Sequence, residues 1–159
     1  MRKTPAERIV YVDETGMDTY FYRENAWAVR GEKVYAKVAG RKYERTSIVA
    51  GKCGKSVISA LQYSGTMDSN LFEFWFKEIL LKEVPKNSVI VMDNAAFHPK
   101  NELYKLAQNM NCELLFLPPY SPDLNPIEKF CAWLKQKLRQ VLNFYNTLDD
   151  AISYIFKLG

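Results

Sequence analysis

The sequence is short of the features that mark membrane, disulfide-stapled and zinc-bound proteins. No apolar run approaches the roughly 20 residues that a membrane-spanning helix needs, and no basic-then-apolar leader opens the chain, so no membrane partner is expected. Cysteine occurs three times, at Cys53, Cys112 and Cys131, an odd number without a C-x-x-C pair. That argues against a disulfide framework and a zinc site, and for reduced core thiols in the cytoplasm. Histidine occurs once, at His98. Internal repeats and low-complexity tracts are lacking. What is present is ordinary for one α/β domain with a sizeable core: 159 residues, 48% hydrophobic and 25% charged.

The formal net charge of +4 says little by itself, but its distribution says more. Between Arg30 and Lys55 stand Arg30, Lys33, Lys37, Arg41, Lys42, Arg45, Lys52 and Lys55, against only Glu32 and Glu44. A polyanion such as nucleic acid is the natural partner of such a patch. A solvated, cationic hairpin fits the charge equally well.

Two short apolar runs end on aspartate. Ile9-Val10-Tyr11-Val12 stops at Asp13, and Val89-Ile90-Val91-Met92 stops at Asp93-Asn94. Runs of this length read as buried strands. A carboxylate at the carboxyl end of such a strand lies where open α/β sheets place their ligands. Either aspartate alone reads as a turn residue. If the strands are neighbours, about 4.8 Å apart, the two carboxylates stand side by side and repel unless a divalent cation neutralises them. The pair therefore points to a metal-dependent enzyme.

Residues 1–8 read as a polar linker stub and 9–159 as the domain. After the first strand, Glu14-Thr15-Gly16 reads as a turn and Thr19–Tyr22 as a strand. Ala26–Ala39 reads as irregular or extended chain. Ser47–Ala50 and Val57–Tyr63 read as antiparallel strands joined near Gly51–Gly54. Asp68 is placed to cap a helix whose apolar positions are Leu71, Phe72, Trp75, Phe76, Ile79 and Leu80, ended by Pro85. The Val89–Met92 strand, a helix over Lys100–Asn109, a buried strand at Glu113–Leu117 and helices at Asn125–Val141 and Thr147–Leu158 complete the order. An early meander followed by alternating helices and strands predicts a mixed sheet with helices on both faces.

Glu128 has two readings. Asn125, Pro126 and Glu128 have the spacing of a capping box, with Glu128 bonding back to the Asn125 backbone. Alternatively, Glu128 lies beside the core stripe of Ile127, Cys131, Leu134, Leu138 and Val141, and completes a metal site past the strand ends. These residues leave both open. Lys135 and Arg139 share its face and can follow a phosphate backbone. His98, five residues beyond Asp93, reads as a proton carrier, a DNA contact, a metal neighbour or a plain loop residue before Pro99. Asp123 reads as a turn residue, and Glu14 as facing away from Asp13 if the strand continues. Tyr20, Tyr22, Trp27 and Tyr35 can stack on bases, though core packing explains them more simply.

Three segments resemble the DDE transposases of the IS630/Tc1-mariner superfamily. They are Tyr11-Val12-Asp13-Glu14-Thr15, Val91-Met92-Asp93-Asn94-Ala95 with His98, and Leu117-Pro118-Pro119-Tyr120-Ser121-Pro122-Asp123-Leu124-Asn125-Pro126-Ile127-Glu128. Between Asp93 and Glu128 lie 34 residues (128 − 93 − 1), a spacing similar to that superfamily's DD34E pattern. Trp27 and Gly31 resemble a Trp-x-x-x-Gly element of its first insertion. The resemblance implies an RNase H-like fold with a mixed five-stranded sheet, and Asp13, Asp93 and Glu128 as catalytic ligands of two Mg²⁺ or Mn²⁺ ions. Asn94 and His98 are implied as accessory residues, and Arg41, Lys42, Arg45, Lys135 and Arg139 are the expected DNA contacts. It further implies cleavage at transposon ends and strand transfer into target DNA, at a TA dinucleotide, by a homodimer in the nucleoid of a bacterium or archaeon. The sequence departs from the pattern at Cys131, where a tryptophan is usual. The superfamily's N-terminal helix-turn-helix region has no counterpart in it, so the expectation is a catalytic half whose sequence-specific DNA grip comes from a separate polypeptide.

Overall fold

The computed structural model describes residues 4–18 and 45–158. A short 3-10 turn, Ala6–Arg8, leads into strand β1 (Ile9–Asp18). Next come β2 (Arg45–Cys53), β3 (Ser56–Tyr63), helix α1 (Ser69–Trp75), a π-helical segment (Phe76–Leu80) and α2 (Leu81–Glu83). The chain continues through β4 (Val89–Met92), α3 (Lys100–Asn109), β5 (Glu113–Phe116), α4 (Ile127–Val141) and α5 (Leu148–Leu158). The strands form one five-stranded sheet in the order β3-β2-β1-β4-β5. β2 and β3 are antiparallel, whereas β4 runs parallel to both β1 and β5, which makes the sheet mixed.

β1 does not stop at Asp13. Glu14-Thr15-Gly16, read from the sequence as a turn, continues the strand to Asp18, with Thr15 and Met17 buried. The expected strand at Thr19–Tyr22, the Trp27–Gly31 element and the basic residues Arg41 and Lys42 lie outside the described residues. β2 likewise runs past Gly51 to Cys53, and the hairpin closes on a two-residue turn at Gly54-Lys55. Gly54 takes φ +58°, a left-handed conformation that glycine adopts without steric cost. Gly51 sits where space for a side chain is tight. A Cβ there would meet Leu80 Cδ1 at 3.1 Å and the Cγ1 atoms of Ile58 and Val10 at 3.2 Å.

The helix expected after Asp68 forms, and the Asp68 carboxylate accepts from Leu71 N at 2.8 Å as its N-cap. It is not regular throughout. The π-helical segment widens its middle, and Leu80 and Leu81, consecutive residues that an α-helix would splay by about 100°, are both buried. Trp75 Nε1 donates to Ser59 O at 2.7 Å, and Ser59 N and Oγ both donate to Glu83 Oε2 at 2.7 Å, which ties this helical stretch to β3. β5 corrects a second expectation. It is an edge strand with alternating burial, and Leu115 is exposed, so it is covered on one face only.

The described residues fall into two compact units: those within Met1–Thr15 and Ser47–Cys131, and those within Gly16–Thr46 and Ala132–Gly159. The core of the first joins Val10 and Val12 of β1, Ile90 and Met92 of β4 and Leu114 of β5 to Phe72, Trp75, Phe76 and Leu80, and to Leu103 and Ala107 of α3. In the second, Leu134, Leu138, Leu142, Leu148, Ala151, Ile152 and Ile155 are buried, and Thr147 Oγ1 caps α5 by accepting from Asp150 N at 3.1 Å. Among the described residues no helix is long and apolar enough to cross a membrane, and no disulfide joins the cysteines.

Candidate active site

The parallel pairing of β1 with β4 places Ile9 beside Val89, Val10 beside Ile90 and Tyr11 beside Val91. Carried two residues further, that register sets Asp13 level with Asp93. Both aspartates line an open pocket of about 290 Å³, together with Asn94, Ala95, the Leu117–Pro122 loop, Asn125 and Glu128. Glu128, one residue into α4, is exposed, and Asp93 has 62% of its side chain exposed. Asp13 is half-buried.

Asn125 joins two of these parts. Its buried Nδ2 donates to Val12 O at 3.2 Å, fastening the start of α4 to the residue before Asp13. The capping-box reading of Glu128 fails on a donor count: the Asn125 backbone N–H is already given to Pro122 O at 3.0 Å. Glu128 is exposed and lines the pocket.

Electrostatics gather on Asp13. Burial pushes its carboxyl up to about 6, the Glu14 N–H that it accepts at 2.8 Å pulls it down, and the charges of Asp93, Glu128 and Glu14 push it up again. Three acceptor-only carboxylates around one pocket suit a hard cation with oxygen ligands, whose charge would relieve their mutual repulsion. Among the described residues no three His, Cys, Asp or Glu side chains converge tightly enough to hold one ion together. The donor chemistry therefore fits divalent metal, with the carboxylates spread along a pocket instead of closed around a single point.

His98 is no plain loop residue. Its side chain is 1% exposed, and its ring lies 4.3 Å from that of Phe72 and 4.6 Å from that of Phe97, centroid to centroid. Nδ1 faces Asp93 Oδ1 at 3.7 Å and Nε2 faces Glu14 Oε1 at 3.8 Å. Both are ion-pair distances, too long for hydrogen bonds, and neither nitrogen has another partner. Asn94 lines the pocket beside Asp93. Of the expected DNA contacts, Arg45 is exposed at the start of β2, and on α4 Lys135 is half-buried and Arg139 exposed.

A family model described as a DDE superfamily endonuclease matches residues 8–151. The chain belongs to this family. Curated proteins give no sequence match to the DDE endonuclease chain. Among solved structures, it is similar to the Mos1 transposase paired-end complex with left transposon end, with TM-score 0.62 and 20% identity over 86% of this chain and 44% of that one. It is also similar to the Mos1 transposase catalytic domain with Raltegravir and Mg, with TM-score 0.63 and 16% identity over 99% and 73% of the two chains. The catalytic core domain of BIV integrase matches with TM-score 0.56 and 13% identity over 92% and 79%. The DDE endonuclease thus spans less than half the length of the chain in the paired-end complex. At these identities the likeness establishes the RNase H-like fold that these catalytic cores share.

Glu14, Asn125 and Tyr63 are the neighbours of the site that the sequence does not single out. Glu14 reads as a residue turned away from Asp13, Asn125 as a helix cap, and Tyr63 as an ordinary strand residue. The one available signal is that Glu14 and His98 each sit a few positions from an aspartate.

Proposed function

We propose that this chain is the catalytic core of a transposase of the IS630/Tc1-mariner type, cleaving DNA at transposon ends and joining the freed 3′-hydroxyl to target DNA. The observation that carries the reading is a DDE endonuclease chain with Asp13, Asp93 and Glu128 on one pocket. The Mos1 structures, a paired-end complex with a transposon end, a strand transfer complex and forms with Mn and Mg, give the substrate and the metal their chemical class.

In this reading Asp13, Asp93 and Glu128 would hold two divalent cations, Mg²⁺ or Mn²⁺. Such ions would supply positive charge to polarise the attacking water or 3′-hydroxyl and to balance the leaving oxygen of an in-line displacement. The protein's own part is placement. The β1–β4 register presents two carboxylates level with each other, and Asn125 fixes the helix that carries the third. Leu117-Pro118-Pro119 gives the pocket a stiff, largely apolar wall with few competing donors. Tyr120, fully exposed at that wall, offers a ring for a base to lie against. Arg45, Lys135 and Arg139, with Arg41 and Lys42, contact phosphates without reading sequence. A homodimer brings two ends together.

The test is Mn²⁺-dependent nicking of supercoiled plasmid and joining of a 3′-hydroxyl oligonucleotide to it, by wild type and Asp93→Asn. The variant should lose about a hundredfold or more in both, as befits several kcal/mol of lost charge stabilisation. Equal cutting by the two proteins would mean that the site is misassigned. Cutting of RNA–DNA hybrids or four-way junctions without joining would make the chain another kind of RNase H-like nuclease.

A further inference from the structure

Tyr63, Glu14, His98 and Asp93 come from four separate positions, on β3, on β1, in the loop before α3 and at the end of β4, yet they stand next to one another in space. Tyr63 hydrogen-bonds through its side chain to Glu14 and to Ser47. Glu14 Oε1 faces His98 Nε2 at 3.8 Å, and His98 Nδ1 faces Asp93 Oδ1 at 3.7 Å. A buried nitrogen without a partner is costly, and His98 has two of them. Each faces a carboxylate oxygen, at 3.7 and 3.8 Å, about half an ångström beyond hydrogen-bond range. Contacts of this kind are often long before a site is loaded, and tighten when it is.

The surroundings of the ring fix where that tightening must occur. Phe72 and Phe97 hold the imidazole on two sides, and Phe116 lies 6.2 Å away. The loop backbone is pinned as well, His98 N donating to Ala95 O at 3.2 Å and Lys100 N to His98 O at 2.9 Å. Asp93, by contrast, has most of its side chain in solvent. Between a caged ring and a loose carboxylate, the carboxylate does the moving.

We propose that His98, oriented by Glu14 and Tyr63, is a positioning residue that grips one oxygen of Asp93 and leaves the other for a divalent cation. This rests on the reading of Asp93 as a metal ligand. Carboxylate ligands are themselves commonly hydrogen-bonded, and loss of the outer partner costs about 10–100-fold in metal affinity. Asp13 needs no such residue because the Glu14 N–H already holds it. Glu14 thus serves both aspartates, one through its backbone and the other through its side chain and His98.

The test is a Mn²⁺ titration of the whole chain, followed by electron paramagnetic resonance of the free ion, with thermal melting of each metal-free protein alongside. His98→Phe keeps the stack on Phe72 and removes both nitrogens. It should bind Mn²⁺ about 10–100-fold more weakly than wild type, with a melting temperature no lower. His98→Asn places an amide nitrogen where Nδ1 lies and should bind more tightly than His98→Phe, even though it fills the aromatic cage less well. Glu14→Gln should weaken binding by a smaller factor, and serves as the second variant should His98→Phe fail to fold. Wild type that binds Mn²⁺ while His98→Phe and Glu14→Gln bind it equally well would overturn the positioning role and leave the metal site standing. Wild type that binds no Mn²⁺ would overturn both.

Discussion

Asn125 Nδ2 donates to the carbonyl of Val12 across 3.2 Å, and through this bond the helix that carries Glu128 is registered against the strand that carries Asp13. The two acids are 115 residues apart in the chain (128 − 13), so without a bond of this kind only general packing would set their spacing. Asn125→Ala should lower unfolding free energy by about 1–3 kcal/mol, the cost of stranding a buried acceptor, as read by urea denaturation. Its Mn²⁺ affinity should fall about tenfold as well. Unchanged affinity would mean that the helix start is held by other contacts.

Asp13 gives the metal-free protein a particular response to pH. Its carboxyl is raised from 3.8 to about 6, mainly by burial and also by neighbouring charge. Between those values the folded chain binds more protons than the unfolded one, so Asp13 makes stability fall as pH rises through that window. The melting temperature of wild type relative to Asp13→Asn should therefore decline from pH 4 to pH 6.5 and then level off. A flat difference would show that the carboxyl titrates normally. Protons and cations also compete for this group, so Mn²⁺ affinity should weaken below about pH 6.

Gly51 tests how closely the helical stretch sits on the sheet. Its absent Cβ would meet Leu80, Ile58 and Val10 at 3.1–3.2 Å. Gly51→Val should destabilise by about 1–3 kcal/mol through overpacking, measured as a shift of the urea midpoint. A variant as stable as wild type would mean that Leu80 yields freely.

Tyr120 is fully exposed and holds φ at +59°, a left-handed conformation that side chains disfavour. Tyr120→Gly should be about 1 kcal/mol more stable, since glycine takes that angle without strain. If the ring lies against a base, the same variant should lose about 1–3 kcal/mol of DNA affinity, seen in fluorescence anisotropy with short duplexes. Gained stability with unchanged DNA affinity would confine the residue's role to the loop.

The strands carrying Asp13 and Asp93 are legible in the sequence because each is a four-residue apolar run, and period and length together mark a buried strand. Lengths are less legible where polar residues continue a strand. Glu14-Thr15-Gly16 looks like a turn, yet pairing carries β1 on through it. β5 looks buried because Glu113–Leu117 is rich in leucine, but its place at the sheet edge comes from the order of all five strands. His98 is the clearest case of what stays hidden. Its burial depends on Phe72, Phe97 and Phe116, three aromatics from three segments, and no window of sequence contains that meeting. Asn125 reads as a cap because local patterns offer it a local task, whereas its partner is more than a hundred residues upstream.

The level pairing of β1 with β4 limits how this chain can vary in length. Adding or deleting one residue between Tyr11 and Asp13, or between Val91 and Asp93, would turn that acid to the opposite side of the sheet and undo the pair. An insertion at the Gly54-Lys55 hairpin disturbs neither. Length polymorphism among relatives that still cut DNA should therefore collect at such hairpins and be absent from these two dipeptide steps.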